Sequence, residues 1–381
     1  MNRTPSTNRG RSTRLLGGLL VALALVTGLV VAPSAHPGAA EAIPAPVIGK
    51  QAKFMVVGGT TNKQLVVLKV LPNGKLRKVH DYTTGLGVFS VKAAQDGKTI
   101  FVSHLVDSAI SVYRISDTGT LRRIQFARVP GLPLTVEPSH DSKYLYVTMS
   151  GVPGQLATYR ITDSGRIVPT GHSVSMILGT LAPMVSVDPN NKYVRVASAF
   201  EMAIKSYRVG PGGRLSPLNT VLAGIVPVNG NTTPDGRFYY IAHEQSMNVV
   251  GYRILRDGNL AYMGQWFSGP ISHEVQFTER GHRAYVPNAG TGNVTGWFVH
   301  RNGNLTPLPG SPYSTGIGTM PALAVLNPNG RFLYAVDVMT PTRGTTHVQT
   351  FYIRDNGSLV LIDTTDMGMQ TVDGPVAALT T

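Results

Sequence analysis

The sequence predicts an all-β chain, a seven-bladed β-propeller with four antiparallel strands per blade, and three observations predict it. The first is a hairpin signature that recurs seven times: an aromatic residue or leucine, a glycine six positions later, and leucine or isoleucine two beyond. It reads Leu68/Gly74/Leu76, Tyr113/Gly119/Leu121, Tyr159/Gly165/Ile167, Tyr207/Gly213/Leu215, Tyr252/Gly258/Leu260, Trp297/Gly303/Leu305 and Phe351/Gly357/Leu359. A period of roughly 45 residues is the range of radial and solenoid repeats. The second is an upstream turn, such as Pro234-Asp235-Gly236 or Pro328-Asn329-Gly330, leading into an apolar strand such as residues 237–241 or 331–335. The third lies at the two ends of the repeat array. The first unit, from about Phe54, lacks an innermost strand, and residues 374–380 resemble one.

Each element follows from its residues. The hairpin glycines close two-residue turns (Asn73-Gly74, Asp257-Gly258 and Asn302-Gly303 among them) that need positive φ to match strand twist. Four short strands per unit at this period make a propeller blade. A C-terminal strand inserted into blade one would seal the ring and remove a free sheet edge. A stacked solenoid would instead carry atypical capping units.

Composition narrows the rest. The chain has 381 residues, 42 glycines, 26 prolines and no cysteine. Without cysteine there is no disulfide, no thiolate metal site and no cysteine nucleophile, so stability must come from packing between repeats. Arg3, Arg9, Arg11 and Arg14 precede an apolar stretch, residues 15–32, and then small residues around Ala40 and Ala42. That is a secretory signal pattern, which assigns residues 1–42 to a signal peptide and 43–381 to the propeller. An uncleaved anchor is the alternative, because the apolar stretch is just long enough to span a bilayer. Removing residues 1–42 lowers the net charge from +14 to +11. The remaining basic residues are scattered, with Arg114, Arg160, Arg208 and Arg253 at one repeated position that reads as a solvated strand rim. No basic run with interleaved aromatics points to nucleic acid.

Counting back from each strand tyrosine gives one position after every second strand: His104, Met149, Ala199, His243, Asn288 and Asp337. These are expected to converge around the ring axis. Glu244 follows one step on, and Asn229, His273 and Glu274 open inner strands. Met149 reads as packing, and Asp337 alternatively as a local cap of residues 338–343.

At this point the sequence resembles a known family. Thr233-Pro234-Asp235-Gly236-Arg237-Phe238-Tyr239-Tyr240-Ile241-Ala242-His243-Glu244 and Asn327-Pro328-Asn329-Gly330-Arg331-Phe332-Leu333-Tyr334-Ala335-Val336 are similar to segments of the seven-bladed propeller lactonases. That family includes 6-phosphogluconolactonases and carboxymuconate cyclases, and the resemblance covers essentially the whole chain after residue 42. It implies working groups near the channel mouth: a histidine, two arginines and a glutamate. The glutamate matches Glu244, and His273-Glu274-Val275 matches the opening of the next blade. The two arginine positions hold Val228 and Ala289, and the family histidine has no counterpart in residues 179–184.

Lactone hydrolysis needs a base to activate water and donors for the developing oxyanion. The catalytic candidates are therefore His243 or His273 as base, with Glu244 or Glu274 orienting it. His104, Asn229, Asn288 and Asp337 are the binding candidates. No local spacing supports a metal site, and no cofactor is expected. The leading reading is a secreted, monomeric, metal-independent hydrolase that opens a small neutral lactone, with no stable membrane insertion after cleavage. The alternative is a non-catalytic extracytoplasmic propeller that binds a ligand or an envelope partner.

Overall fold

The computed structural model describes residues 51–151, 153–176, 184–337, 344–372 and 374–381; residues 1–42, expected from the sequence to be a signal peptide, lie outside them. Seven antiparallel sheets follow one another along the chain. Blade one runs outward from Phe54–Gly59 through Gln64–Val70 to Leu76–Thr83. Its innermost strand is Ala377–Thr380, which pairs with the first of these in the register Phe54↔Thr380, Met55↔Leu379, Val56↔Ala378 and Val57↔Ala377. The ring is therefore closed as the sequence predicts.

The innermost strands of blades two to five are Val88–Ala93, Leu132–Pro138, Met184–Val187 and Pro227–Thr232. Blade six contributes the short Gln276–Phe277, and blade seven Pro321–Leu326. Blade six also carries an extra strand, Tyr313–Ser314, paired to its third strand, Asn293–Val299.

The core is divided among the blade interfaces. Among the described residues, seven apolar clusters each span two consecutive blades, from Met55 and Val57 against Phe332 and Tyr334 to Tyr285 and Val294 against Leu333 and Phe351. Both faces of every sheet are thus buried, which explains why the second strands are apolar throughout.

The hairpin glycines have a second reason to be glycine. All seven adopt φ between +77° and +92°. Each also lies on the first residue of the preceding blade's second strand. Gly74 meets Phe332, Gly119 meets Phe54, Gly165 meets Thr99 and Gly213 meets Tyr144; Gly258 meets Tyr193, Gly303 meets Phe238 and Gly357 meets Arg283. At Gly74, Gly213, Gly258 and Gly303 a Cβ would overlap an aromatic ring. The carbonyls of these glycines are latched as well. Tyr240, Tyr285 and Tyr334 donate their hydroxyls to Gly303, Gly357 and Gly74 (2.5, 2.8 and 2.9 Å). The Thr158 hydroxyl and the Arg195 guanidinium donate likewise to Gly213 and Gly258.

Two stability measurements follow. Deleting residues 374–381 should abolish the single cooperative unfolding transition; a truncated chain that melts like the intact one would show that the closing strand is dispensable. Gly258→Ala should cost about 3 kcal/mol or more, from the left-handed backbone and the Tyr193 overlap together. At Gly330, with φ +68° and nothing near the added Cβ, the same change should cost only about 1 kcal/mol. Urea unfolding of the two variants separates the terms.

Candidate functional site

The inner strands of blades two, three, five and seven are bulged where they begin: between Val88 and Ser90, Pro133 and Val136, Pro227 and Gly230, and Pro321 and Leu323. A bulge inserts an unpaired residue and re-aims side chains. The inserted residues include Phe89, Leu134, Val228 and Asn229. Phe89, Leu134, Val228 and Met184 of blade four make one buried apolar cluster, with Leu105 and Val226 against it. Val228, where the family resemblance implies an arginine, is a member of this cluster. Beside it, Met184, Val228, Asn229, His273, Glu274, Ala322, Leu323, Gly374 and Pro375 line a small cavity of about 10 Å³, room for about one water. No lysine or arginine is among them.

Two predicted residues meet here across a blade boundary. Glu244 leaves the second strand of blade five, its N–H bonded to the Val226 carbonyl at 3.0 Å. His273 enters blade six and bonds through its backbone to Asn229 and Pro287. The side chains lie 3.2 Å apart, His273 Nε2 to Glu244 Oε1, and keep only 9% and 12% of their surface exposed. That narrow opening suffices for water to reach the pair. Ile271 N–H donates to the Glu244 carbonyl at 3.0 Å, so backbone bonds also hold the two loops together.

Glu274, next along, is buried and accepts three hydrogen bonds: from Asn229 Nδ2 (3.2 Å), Gln276 Nε2 (3.1 Å) and the Ala324 N–H of blade seven (2.7 Å). Burial pushes its carboxyl above the usual range, against the pull of Lys92 and these donors. Lys92 sits on the inner strand of blade two and pairs with Glu137 of blade three at 2.8 Å. Glu274 thus ties blades five, six and seven together around Asn229.

The residues ending the second strands are placed differently from the expectation that they converge on the axis. The second strand lies one strand out from the channel, so its side chains enter the interfaces between blades. His104 is fully buried, with Nε2 2.8 Å from Ser111 Oγ and 3.3 Å from Thr84 Oγ1, and its ring stacks on Phe126 of the outer strand. His243 is equally buried and accepts the Gly224 N–H at 3.0 Å. Asn288 accepts from Ser268 and Ser272, on the segment leading from blade five into blade six, and donates to Asn293 and Thr295 of blade six. Asp337 accepts from Gln349 at 2.8 Å inside blade seven, and the 338–343 loop it was expected to cap lies outside the described residues. Met149 is buried core. In blade four the equivalent residue is Ser198, opposite Ala203 as His104 is opposite Ala109, and not Ala199. These positions brace the loop that feeds each inner strand. Among the described residues, no group of three or more His, Asp or Glu is arranged to hold a metal ion.

Residues 133–378 match the family model described as Lactonase, 7-bladed beta-propeller. The chain belongs to that family. Solved propellers share its fold at low identity. A Pseudomonas aeruginosa periplasmic gluconolactonase superposes with a TM-score of 0.72 at 18% identity, covering 86% of this chain and 99% of the other. A putative 6-phosphogluconolactonase from Bacteroides fragilis gives 0.71 at 19% identity, covering 87% and 97%. One from Bacteroides uniformis gives 0.70 at 18%, covering 87% and 100%. No curated protein sequence matches the chain. Identity this low speaks for the scaffold, and chemistry has to be argued from the site.

The two bracing histidines set a pH limit on the fold. Burial depresses both His104 and His243 to a pKa of about 4, well below the ordinary 6.5 of an unfolded chain. Between these values the unfolded state binds the protons, so stability is complete above about pH 6.5 and falls as the pH drops toward 4. Each histidine accounts for at most about 3 kcal/mol. The unfolding free energy of His243→Gln should therefore be flatter than that of the native chain between pH 6.5 and 4; parallel curves would refute this assignment.

Proposed function

We propose that the protein is a lactonase-like hydrolase that opens a small uncharged lactone at the channel mouth, with His273 as general base and Glu244 orienting it. The supporting observation is the 3.2 Å His273–Glu244 contact in a nearly closed, partly apolar setting. Glu244 accepts the Nε2 proton, which fixes the tautomer in which Nδ1 is the basic nitrogen that takes a proton from water. The hydroxide attacks the ring carbonyl, the ester C–O bond breaks, and the released alkoxide takes back the proton from His273. Asn229, whose Nδ2 already donates one hydrogen to Glu274, has a second for the developing oxyanion.

Charge selects the substrate class. An anionic lactone normally needs an arginine fork. Glu274 lines the small cavity and Glu244 contacts His273, while Val228 and Ala289 stand at the implied arginine positions. This charge balance favours a neutral ring over a phosphorylated or carboxylated one. The signal-like N-terminus, and the structural likeness to a periplasmic gluconolactonase, support an extracytoplasmic site of action. No helix of the described residues is long and apolar enough to cross a membrane.

A second reading is favoured by one observation. The apolar cluster of Phe89, Leu134, Met184 and Val228 leaves room for little more than one water, as suits a propeller that binds on its rim without catalysis. Hydrolysis of neutral sugar, alkyl and aryl lactones decides between the two. His273→Asn should lower kcat/KM by about 10²–10⁴-fold and Glu244→Gln by about 10–100-fold, with melting temperatures held within a few degrees. Activity indifferent to both changes, or no turnover of any lactone, would leave the binding propeller.

A further inference from the structure

The apolar surface does not stop at the mouth. Four of the twelve exposed large apolar side chains among the described residues fall between positions 200 and 225: Phe200, Met202, Leu222 and Ile225, exposed by 46–82%. Phe200 and Met202 come from the loop after blade four's second strand, Leu222 ends its outer strand Leu215–Leu222, and Ile225 lies in the segment leading to blade five. The Ala223 N–H donates to the Met202 carbonyl at 2.7 Å, and Leu222 stands opposite Ala203 in the sheet register. Ile225 is anchored through its N–H to Ser246 Oγ at 2.7 Å, two residues from Glu244.

The next residue joins this rim to the site. Val226 packs against the mouth cluster of Phe89, Leu134, Met184 and Val228, and its carbonyl accepts the Glu244 N–H. A track of apolar residues thus follows the chain outward from Val228, which lines the same cavity as His273, through Val226 and Ile225 to Leu222, with Met202 and Phe200 on the adjoining loop. Exposed apolar side chains scattered singly need no explanation, but a contiguous set leading out of a site does.

We infer that the substrate carries an unbranched apolar arm. The lactone ring lies at the His273–Glu244 pair and the arm lies along this track toward Leu222 and Met202. This inference rests on the hydrolase reading of the pair and adds the substrate's chemical class: an alkyl- or acyl-substituted neutral lactone rather than a polyhydroxylated sugar lactone. The same apolar contacts that exclude a sugar's hydroxyls reward each added methylene.

The test is a series of γ-lactones, from the unsubstituted ring to an eight-carbon side chain, assayed for hydrolysis. The matching γ-lactams, which do not hydrolyse, are titrated calorimetrically. Both kcat/KM and lactam affinity should rise about two- to fourfold per methylene until the track is filled. Leu222→Ser and Ile225→Ser, both at solvent-exposed positions, should flatten the rise, lowering the long-to-short ratio by about tenfold or more with unchanged melting temperatures. Turnover indifferent to chain length would overturn the apolar arm and leave the hydrolase standing. Lactam affinity that rises with length in the absence of any turnover would uphold the ligand class and overturn the hydrolase. A flat series in both assays, or a chain-length gain that both serine variants retain in full, would overturn the track.

Discussion

Everything in this molecule depends on how closely one blade approaches the next at the end remote from the mouth. There a left-handed glycine of each hairpin lies on the first residue of the preceding blade's second strand, and at most of the seven positions that residue is aromatic. Tyrosine hydroxyls, a threonine and one buried arginine then hold the glycine carbonyls. Each contact is local, but its geometry sets the angle between neighbouring sheets, and seven such angles must sum to a closed ring. The spacing of the inner strands at the mouth is a downstream result of that sum.

This is also why the fold was legible in the sequence and much of the site was not. A contact repeated seven times leaves a period, and the glycines that satisfy it cannot vary freely. The mouth is built by irregularities instead. The bulged residues Phe89, Leu134 and Val228 join one buried apolar cluster across blades, and three of the four bulges leave a trace in the sequence as a proline, at Pro133, Pro227 and Pro321. The repeated second-strand position misled for the same reason. Equivalence within a repeat places His104, His243 and Asn288 in equivalent surroundings, and those surroundings are blade interfaces, where a polar side chain serves the loop above it.

Glu244 and His273 come together through no local motif. They are brought into contact because the loop after one blade's second strand and the entry to the next blade's inner strand share a seam, stitched by bonds from Ile271 to Glu244 and from Asn229 to His273. Glu274, which sequence alone grouped with them, stands one residue further in and is occupied with three donors from three blades. His273 and Glu274 both line the small cavity, but the Glu274 carboxylate is taken up by these blade-to-blade bonds while the His273 ring meets Glu244. Val228, where the resemblance implies an arginine, belongs to an apolar arc to which blades two, three, four and five each contribute a residue.

The strand that completes blade one has a kinetic meaning. The hydrogen bond from Thr380 to Phe54 joins residues 326 positions apart, and contacts of such separation form late because loop-closure entropy must be met first. Until they form, blade one shows an unpaired edge, the feature on which β-proteins aggregate. Once formed, they make opening at any single interface a strain on all seven. The same seam is therefore the last to assemble and the place where unfolding is expected to begin, so the lifetime of the folded ring is governed by four residue pairs.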